Sequence, residues 1–198
     1  MGLSEDDVGD DPLPEVQRWL DDAVAAGVVE PFAMQLATAG PTARTVLLRG
    51  LDERGFMFVT NLGSRKAKAL AADPACALVL VWTPLSRQVL VTGTAERVPD
   101  EEVEGYWLTR PRDRQVAAWA SPQSEVLPDR AALEARVAEI EARFSGVDLL
   151  PVPPDWGAFR VVPDSVELWC GRTDRLHDRL RWRRSAPGTR WIRERLAP

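Results

Sequence analysis

The 198-residue chain predicts a mainly β protein with flanking helices, an antiparallel barrel or sandwich rather than a doubly wound sheet. Three observations carry this. Five short runs rich in β-branched and apolar residues crowd into positions 32–98. Tight-turn signals separate them, namely Ala39-Gly-Pro41, Asp52-Glu-Arg-Gly55 and Asp73-Pro74. Few helical patterns intervene, so successive strands pair with neighbours instead of through crossover helices.

Residues 1–12 hold Glu5, Asp6, Asp7, Asp10 and Asp11 and read as a disordered acidic lead, which leaves 13–198 as a single domain. Pro14 to Ala26 predicts a helix, with Val16, Leu20 and Val24 on one face. Strands follow at Phe32–Ala39, Thr45–Leu51, Phe56–Thr60, Ala75–Trp82 and Gln88–Val98, and a helix at Ser64–Ala72 interrupts them. Asp100–Ala120 reads as helical, broken near Pro111, and Asp129–Phe144 sets Leu133, Val137, Ile140 and Phe144 on one stripe. Pro151, Pro153 and Pro154 form a stiff linker before two further strands, Ala158–Val162 and Ser165–Trp169. Leu180–Trp182 and Arg190–Arg195 close the chain as a hairpin around Pro187-Gly188.

Composition narrows the function. A net charge of −5 argues against a general nucleic-acid binder. No apolar run approaches the roughly 20 residues that span a bilayer. The acidic N-terminus lacks the basic-then-apolar order of a signal peptide, so a cytoplasmic protein without a membrane partner is expected. Cys76 and Cys170 form neither a disulfide framework nor a metal-ligand spacing, and no metal is expected. Charge is unevenly spread. From Arg172 to Arg195 there are nine arginines and three acids, about +6, which leaves about −11 for the rest. That segment holds the only histidine, His177, inside Arg175-Leu-His-Asp-Arg179. Arginine's fork suits phosphate and carboxylate, so an anion site is expected there.

Other segments carry chemistry. Asn61-Leu-Gly-Ser-Arg-Lys66 follows a strand and opens a helix, with Ser64 as N-cap. Arg65 and Lys66 then stand at the positive end of the helix dipole, a cost that a bound anion would reverse. Arg44-Thr-Val-Leu-Leu-Arg49 is a strand with arginine at both ends; alternation puts Arg44, Val46 and Leu48 on one face and Thr45, Leu47 and Arg49 on the other. Gln88 stands in a β run, where an inward amide reads a heterocycle edge or caps a barrel end. Tyr106 and Arg110 are i,i+4 neighbours able to converge on one ligand, and Gln123-Ser124 lies in a polar loop. Nothing pairs a nucleophile with His177, so no Ser/His/Asp or Cys/His triad is argued.

In order, Glu30-Pro31…Ala33-Met34, Arg44–Arg49, Thr60–Lys66, Arg87-Gln88-Val89, Arg110-Pro-Arg-Asp113, Trp119-Ala-Ser…Gln123-Ser124, Trp156-Gly157, Glu167-Leu-Trp169, Arg175–Arg179 and Arg195-Leu-Ala-Pro198 are similar to the pyridoxine/pyridoxamine 5′-phosphate oxidases. The resemblance runs from about Pro12 to the last residue. It implies an FMN-binding split β-barrel, antiparallel and Greek-key-like, that forms a homodimer with FMN between the subunits. It implies FMN contacts from Arg44, Thr45, Val46, Leu47, Leu48, Arg49, Val59, Thr60, Arg65, Lys66, Gln88, Gln123, Ser124, Trp169 and Arg179. It implies a substrate-phosphate site at Arg49, Tyr106, Arg110 and Arg114, with Arg175 and His177 as catalytic residues over the substrate ring. Two positions depart from the pattern: Arg49 replaces a usual lysine and Arg114 a common small hydroxyl residue.

The implied reaction is oxidation of pyridoxamine or pyridoxine 5′-phosphate to pyridoxal 5′-phosphate, with O2 reduced to hydrogen peroxide. Three alternatives stand beside it. One is a flavin oxidase of the phenazine-pathway type acting on an aromatic acid, in which Arg49 and Arg114 hold a carboxylate. Another is a non-catalytic FMN or pyridoxal-phosphate binding protein. Last is a nucleic-acid-binding tail, which the acidic remainder opposes.

Overall fold

The computed structural model of the chain describes residues 2–198. Strands alternate in the order expected, and all nine belong to one antiparallel sheet. Helix α1 (Leu13–Ala25) buries Val16, Trp19, Leu20 and Ala23, while Val24 stays half-exposed. Strands β1 (Ala33–Thr38) and β2 (Thr42–Leu47) form a hairpin whose turn uses Gly40 at φ 75°. The expected single strand 45–51 is two. After β2 the chain changes partner: Leu48 N–H donates to Phe32 and Arg49 N–H to Met57, and β3 (Gly50–Asp52) then pairs with β4 (Gly55–Asn61). Arg49 therefore sits at a crossover, not in a strand.

Helix α2 (Arg65–Ala72) is capped by Ser64, whose Oγ accepts from Ala67 N–H, as the sequence predicts. Strands β5 (Ala75–Trp82) and β6 (Arg87–Arg97) follow. The helical region breaks at Pro111 into α3 (Asp100–Leu108) and α4 (Arg112–Ala120), and α5 (Arg130–Arg143) takes Asp129 as N-cap. Of the expected α5 stripe only Ile140 is buried; Val137 and Phe144 pack beside it half-buried, and Leu133 is half-exposed.

The two strands expected after the proline linker are one, β7 (Trp156–Cys170). Pro163 should break a central strand, since it has no N–H to donate. It survives because β7 changes partner there. Residues 156–161 pair with β4, and residues 165–170 pair with β8 (Asp178–Arg183). On its other edge β6 runs the whole length, with a register shift between Thr92 and Gly93. Only glycine fits at 93: a Cβ would stand 2.2 Å from the Val162 carbonyl oxygen. The sheet thus curls into a half-barrel that splits at Pro163, and β9 (Ile192–Arg195) extends it beyond β8.

Two cores follow from alternation. Phe56 and Phe58 point into the barrel against Leu78, Leu80 and Val161, whereas Met57 points out under α3–α5. There Trp107 packs edge-on against Trp156, 4.7 Å between centroids, and donates its indole N–H to the Leu150 carbonyl. Arg160, buried in β7, joins Asp52 to Glu102 and so ties α3 to the sheet.

The disordered acidic lead is a correction; Met1 alone lies outside the described residues. Residues 2–12 form a strap over the C-terminal hairpin. Leu3 is buried in the core, Glu5–Asp7 makes a turn of 3-10 helix, and Arg195 pairs with Glu5 while donating to the Leu3 carbonyl. Trp182 and Arg193 donate to the Gly9 and Val8 carbonyls. Acidity alone misled: the strap's charge meets the arginines of the far end of the chain.

Arg195 holds the Glu5 carboxyl at about 2, well below its ordinary 4.5. A depressed carboxylate adds its contribution in full above its unfolded pKa and loses it as pH falls toward the folded one. Protection of the backbone amides of residues 3–9, taken relative to their intrinsic exchange rates, should therefore fall as pH is lowered from 4.5 toward 2, before the central strands open. Equal protection of strap and β5 across that window would contradict this.

Candidate functional site

The first cluster forms where β4 runs into α2. Asn61 shapes the loop, accepting from Gly63 N–H (2.7 Å) and donating to Asp155, while Leu62 N–H donates to the Asp155 carbonyl (2.6 Å). That presents the N-terminus of α2 beside Thr60. Lys66 Nζ donates to Gln123 Oε1 (2.7 Å) and Thr60 Oγ1 (3.2 Å), and the Thr60 hydroxyl reaches the same amide oxygen at 3.1 Å. Arg65 N–H donates to Ser124 Oγ at 3.3 Å. Thr60, Arg65, Lys66, Gln123 and Ser124 thus meet, although Gln123 and Ser124 lie far along the chain. Arg44 faces them from β2, anchored on the Leu36 carbonyl, Thr38 and Thr42. Burial and then the Arg44 charge push the Lys66 ammonium down; burial and then Arg65 do the same to Arg44. Among the described residues no carboxylate pairs with Arg44, Arg65 or Lys66.

The second cluster lies beside the first. Tyr106 stacks on Trp156 (6.1 Å, 10° between planes), and the Arg110 guanidinium lies over the same indole at 5.2 Å. Arg110 Nη2 donates to the Arg114 carbonyl, which closes the α3–α4 turn. Burial, opposed by Tyr106 and reinforced by the charges of Arg49 and Arg114, lowers the Arg110 guanidinium. The Nε atoms of Arg49 and Arg110 are both buried without a hydrogen-bond partner. A buried unpaired donor on a cation is costly, and a bound anion would relieve both. Next to them opens a cavity of about 310 Å³ lined by Phe32, Leu48, Arg49, Gly50, Leu51 and Tyr106. Val46 and Leu48 are buried, and Thr45 bonds Gln35.

The third set stands elsewhere. Gln88 pairs with Trp169 and Trp169 with Arg179 across β6, β7 and β8. His177 lies against Trp169, 4.7 Å between centroids. Its Nδ1 accepts from Arg172 N–H at 3.0 Å, which requires the neutral ring to carry its proton on Nε2. Arg175 is exposed, at φ 65°. Thr60 pairs with Gly157, and Trp169 is twelve residues further along β7. At ~3.3 Å per residue that is about 40 Å of strand. No hydrogen bond, ion pair or ring contact among the described residues joins the third set to the first two.

The arginine-rich tail differs from its sequence reading. Arg179 pairs with Glu167, Arg181 and Arg183 with Glu194, Arg172 with Asp178, and Arg195 with Glu5 and Asp178. Arg184 lies over Trp191 and Arg193 binds strap carbonyls. Much of the tail's charge is therefore spent inside the fold, whereas Arg44, Arg65 and Lys66, at the other end of β7, have no carboxylate partner among the described residues. Sequence reasoning also assigned no role to Trp156, Asp155 or Glu167, although Trp156-Gly157 and Glu167-Leu-Trp169 stood among the quoted motifs.

Residues 20–144 match the family model described as pyridoxamine 5′-phosphate oxidase, and residues 156–198 match the pyridoxine 5′-phosphate oxidase C-terminal dimerisation region. The pyridoxine/pyridoxamine 5′-phosphate oxidase of Rubrobacter xylanophilus is 51% identical over 201 residues, covering 100% of this chain and 91% of that protein. Its namesake from Salinibacter ruber is 51% identical over 99% of this chain and 93% of its own length. Among solved structures, PhzG from Burkholderia lata in complex with tetrahydrophenazine-1-carboxylic acid superposes with a TM-score of 0.91 at 34% identity, covering 99% and 98% of the two chains. A pyridoxamine 5′-phosphate oxidase-related, FMN-binding protein from Nostoc punctiforme shares the fold (TM-score 0.73, 18% identity, both chains fully covered). Among the described residues no helix is long and apolar enough to cross a membrane, and no His/Cys/Asp/Glu group could hold a metal ion.

The first cluster should bind orthophosphate. Phosphate is expected to raise the midpoint of thermal unfolding, and Lys66→Ala to weaken that binding about tenfold, the loss of one charge-assisted hydrogen bond. Identical phosphate responses in the two proteins would contradict the assignment.

Proposed function

The chain belongs to the pyridoxamine 5′-phosphate oxidase family, and from that premise we propose that it oxidises pyridoxamine 5′-phosphate, pyridoxine 5′-phosphate or both to pyridoxal 5′-phosphate. One observation supports this above the others. Two groups of cations without carboxylate partners lie side by side at one end of the sheet, and the reaction requires two phosphates, the cofactor's and the substrate's.

The residues fit FMN. The positive N-terminal end of α2, Lys66, Arg65 and Arg44 suit its phosphate, with Thr60, Gln123 and Ser124 fixing the lysine and the loop. Backbone along Arg44–Arg49 and at Val59 runs beside them. When bound, FMN supplies the two-electron acceptor and passes the electrons to O2, which becomes hydrogen peroxide. Arg49, Arg110, Arg114 and Tyr106 hold the substrate phosphate, and the buried Nε atoms of Arg49 and Arg110 are the donors it completes. Trp169, Gln88 and Arg179 address the flavin ring. Arg175 and His177 cover the substrate ring, and His177 offers Nε2–H as a donor rather than acting as a base. No strong base is needed in the site. For the amine substrate, water completes conversion to the aldehyde and releases ammonia; for the alcohol, loss of two electrons and two protons suffices. The protein's work is orientation.

In one chain about 40 Å of strand separates the two ends of β7. We place FMN between two copies, the α2 end of one facing the Trp169 end of the other, in a homodimer formed through the C-terminal dimerisation region. We place the enzyme in the cytosol, where its ionic phosphorylated substrates are confined by charge.

The Burkholderia lata likeness keeps a second substrate class in view, an aromatic carboxylic acid held by Arg49 and Arg114. FMN-loaded protein should turn over pyridoxamine or pyridoxine 5′-phosphate with equimolar peroxide. Arg110→Ala should cost about 100-fold in kcat/KM, carried mostly in KM. No turnover of either vitamer, alongside oxidation of a dihydro-aromatic acid, would overturn the reading in favour of the second.

A further inference from the structure

Glu167 belongs to no motif role above, yet it is the most confined carboxylate near the third set. It lies in β7 two residues before Trp169, on the same face, and is only 6% exposed. Both its oxygens are taken by one arginine: Arg179 Nε donates to Oε1 at 2.7 Å and Nη2 to Oε2 at 3.1 Å. Nη1 of Arg179 donates to the Ala197 carbonyl at 3.0 Å, and Leu196 N–H donates back to the Arg179 carbonyl. A guanidinium has five N–H groups. Three are engaged, and one remains on each Nη.

We infer that Glu167 is a positioning residue for the flavin ring, which together with the Ala197 carbonyl fixes Arg179 as a charge-balanced fork aimed at an uncharged carbonyl edge. This rests on the reading above that Arg179 meets FMN. Two physical consequences distinguish it from a mere structural ion pair. A free arginine loses its rotamer freedom on binding, whereas this one has lost it already. A guanidinium already balanced by a buried carboxylate also has little to offer a dianion. By contrast Arg44, Arg65 and Lys66 face no carboxylate among the described residues and suit phosphate. The two ends of β7 thereby divide the cofactor by charge: bare cations for its phosphate, a balanced fork for its ring.

The test compares FMN with riboflavin, which has the ring and no phosphate, by quenching of flavin fluorescence. Glu167→Gln should weaken both by the same factor, about tenfold. Lys66→Ala serves as the contrast, its loss confined to FMN. A chain lacking Ala197 and Pro198 and amidated at Leu196, which keeps Glu167 and removes the Ala197 carbonyl without placing a new carboxylate there, should weaken both flavins equally, and it carries the test should Glu167→Gln fail to fold. Tighter FMN binding by Glu167→Gln, a loss confined to FMN, or unchanged affinity for both flavins would overturn the inference. If the wild type binds neither flavin, or Arg179→Ala leaves riboflavin affinity unchanged, the underlying reading fails and the inference falls with it.

Discussion

The bend in β7 at Pro163 is the constraint on which the rest of the molecule depends. A proline without an N–H would leave a gap in a central strand, and the fold places that gap where β7 exchanges β4 for β8. Gly93 makes the exchange possible, because any side chain there would collide with the Val162 carbonyl. From this one feature the half-barrel acquires two ends. The first half of β7 is covered on both faces, by the barrel core and by α3–α5. The second half carries the C-terminal hairpin and the strap from residues 2–12.

Charge is arranged on the same plan. At the β8 end many cations find a carboxylate: Glu167, Glu194, Asp178 and Glu5 together answer Arg172, Arg179, Arg181, Arg183 and Arg195. At the α2 end, Arg44, Arg65, Lys66, Arg49, Arg110 and Arg114 have none among the described residues, and burial weakens the hold of several on their protons. A surface pair contributes little to stability, so the tail's pairing matters more for shape than for energy. Unbalanced cations at a helix start cost stability unless an anion arrives. The second arrangement is that of a binding site.

Much of this was legible in the sequence. Period-two runs placed most strands, Ser64 and Asp129 announced their helices, Pro111 marked its break, and the ordered motifs named the family. What was not legible depended on distance. Arginine density at Arg172–Arg195 suggested an anion site, but Glu5 and Glu167 answer those charges from 190 and 12 residues away. The acidic strap looked disordered for the same reason. Pro163 read as a boundary because a proline's tolerance depends on which neighbour stands opposite. Trp156, the platform for Tyr106 and Arg110, stood in a motif of the resemblance but had no role assigned from sequence.

The central claim is that one site is assembled from the α2 end of one chain and the Trp169 end of another. Mixed dimers test it directly. Assayed at FMN well below their weakened dissociation constants, Lys66→Ala and Trp169→Ala should each lose most activity alone, because each spoils every site in its homodimer. Refolded together at equal concentration they form mixed dimers in which one of two sites is intact, so turnover should recover to about a quarter of the wild-type rate. Activity no higher than that of either parent would contradict a site shared between chains.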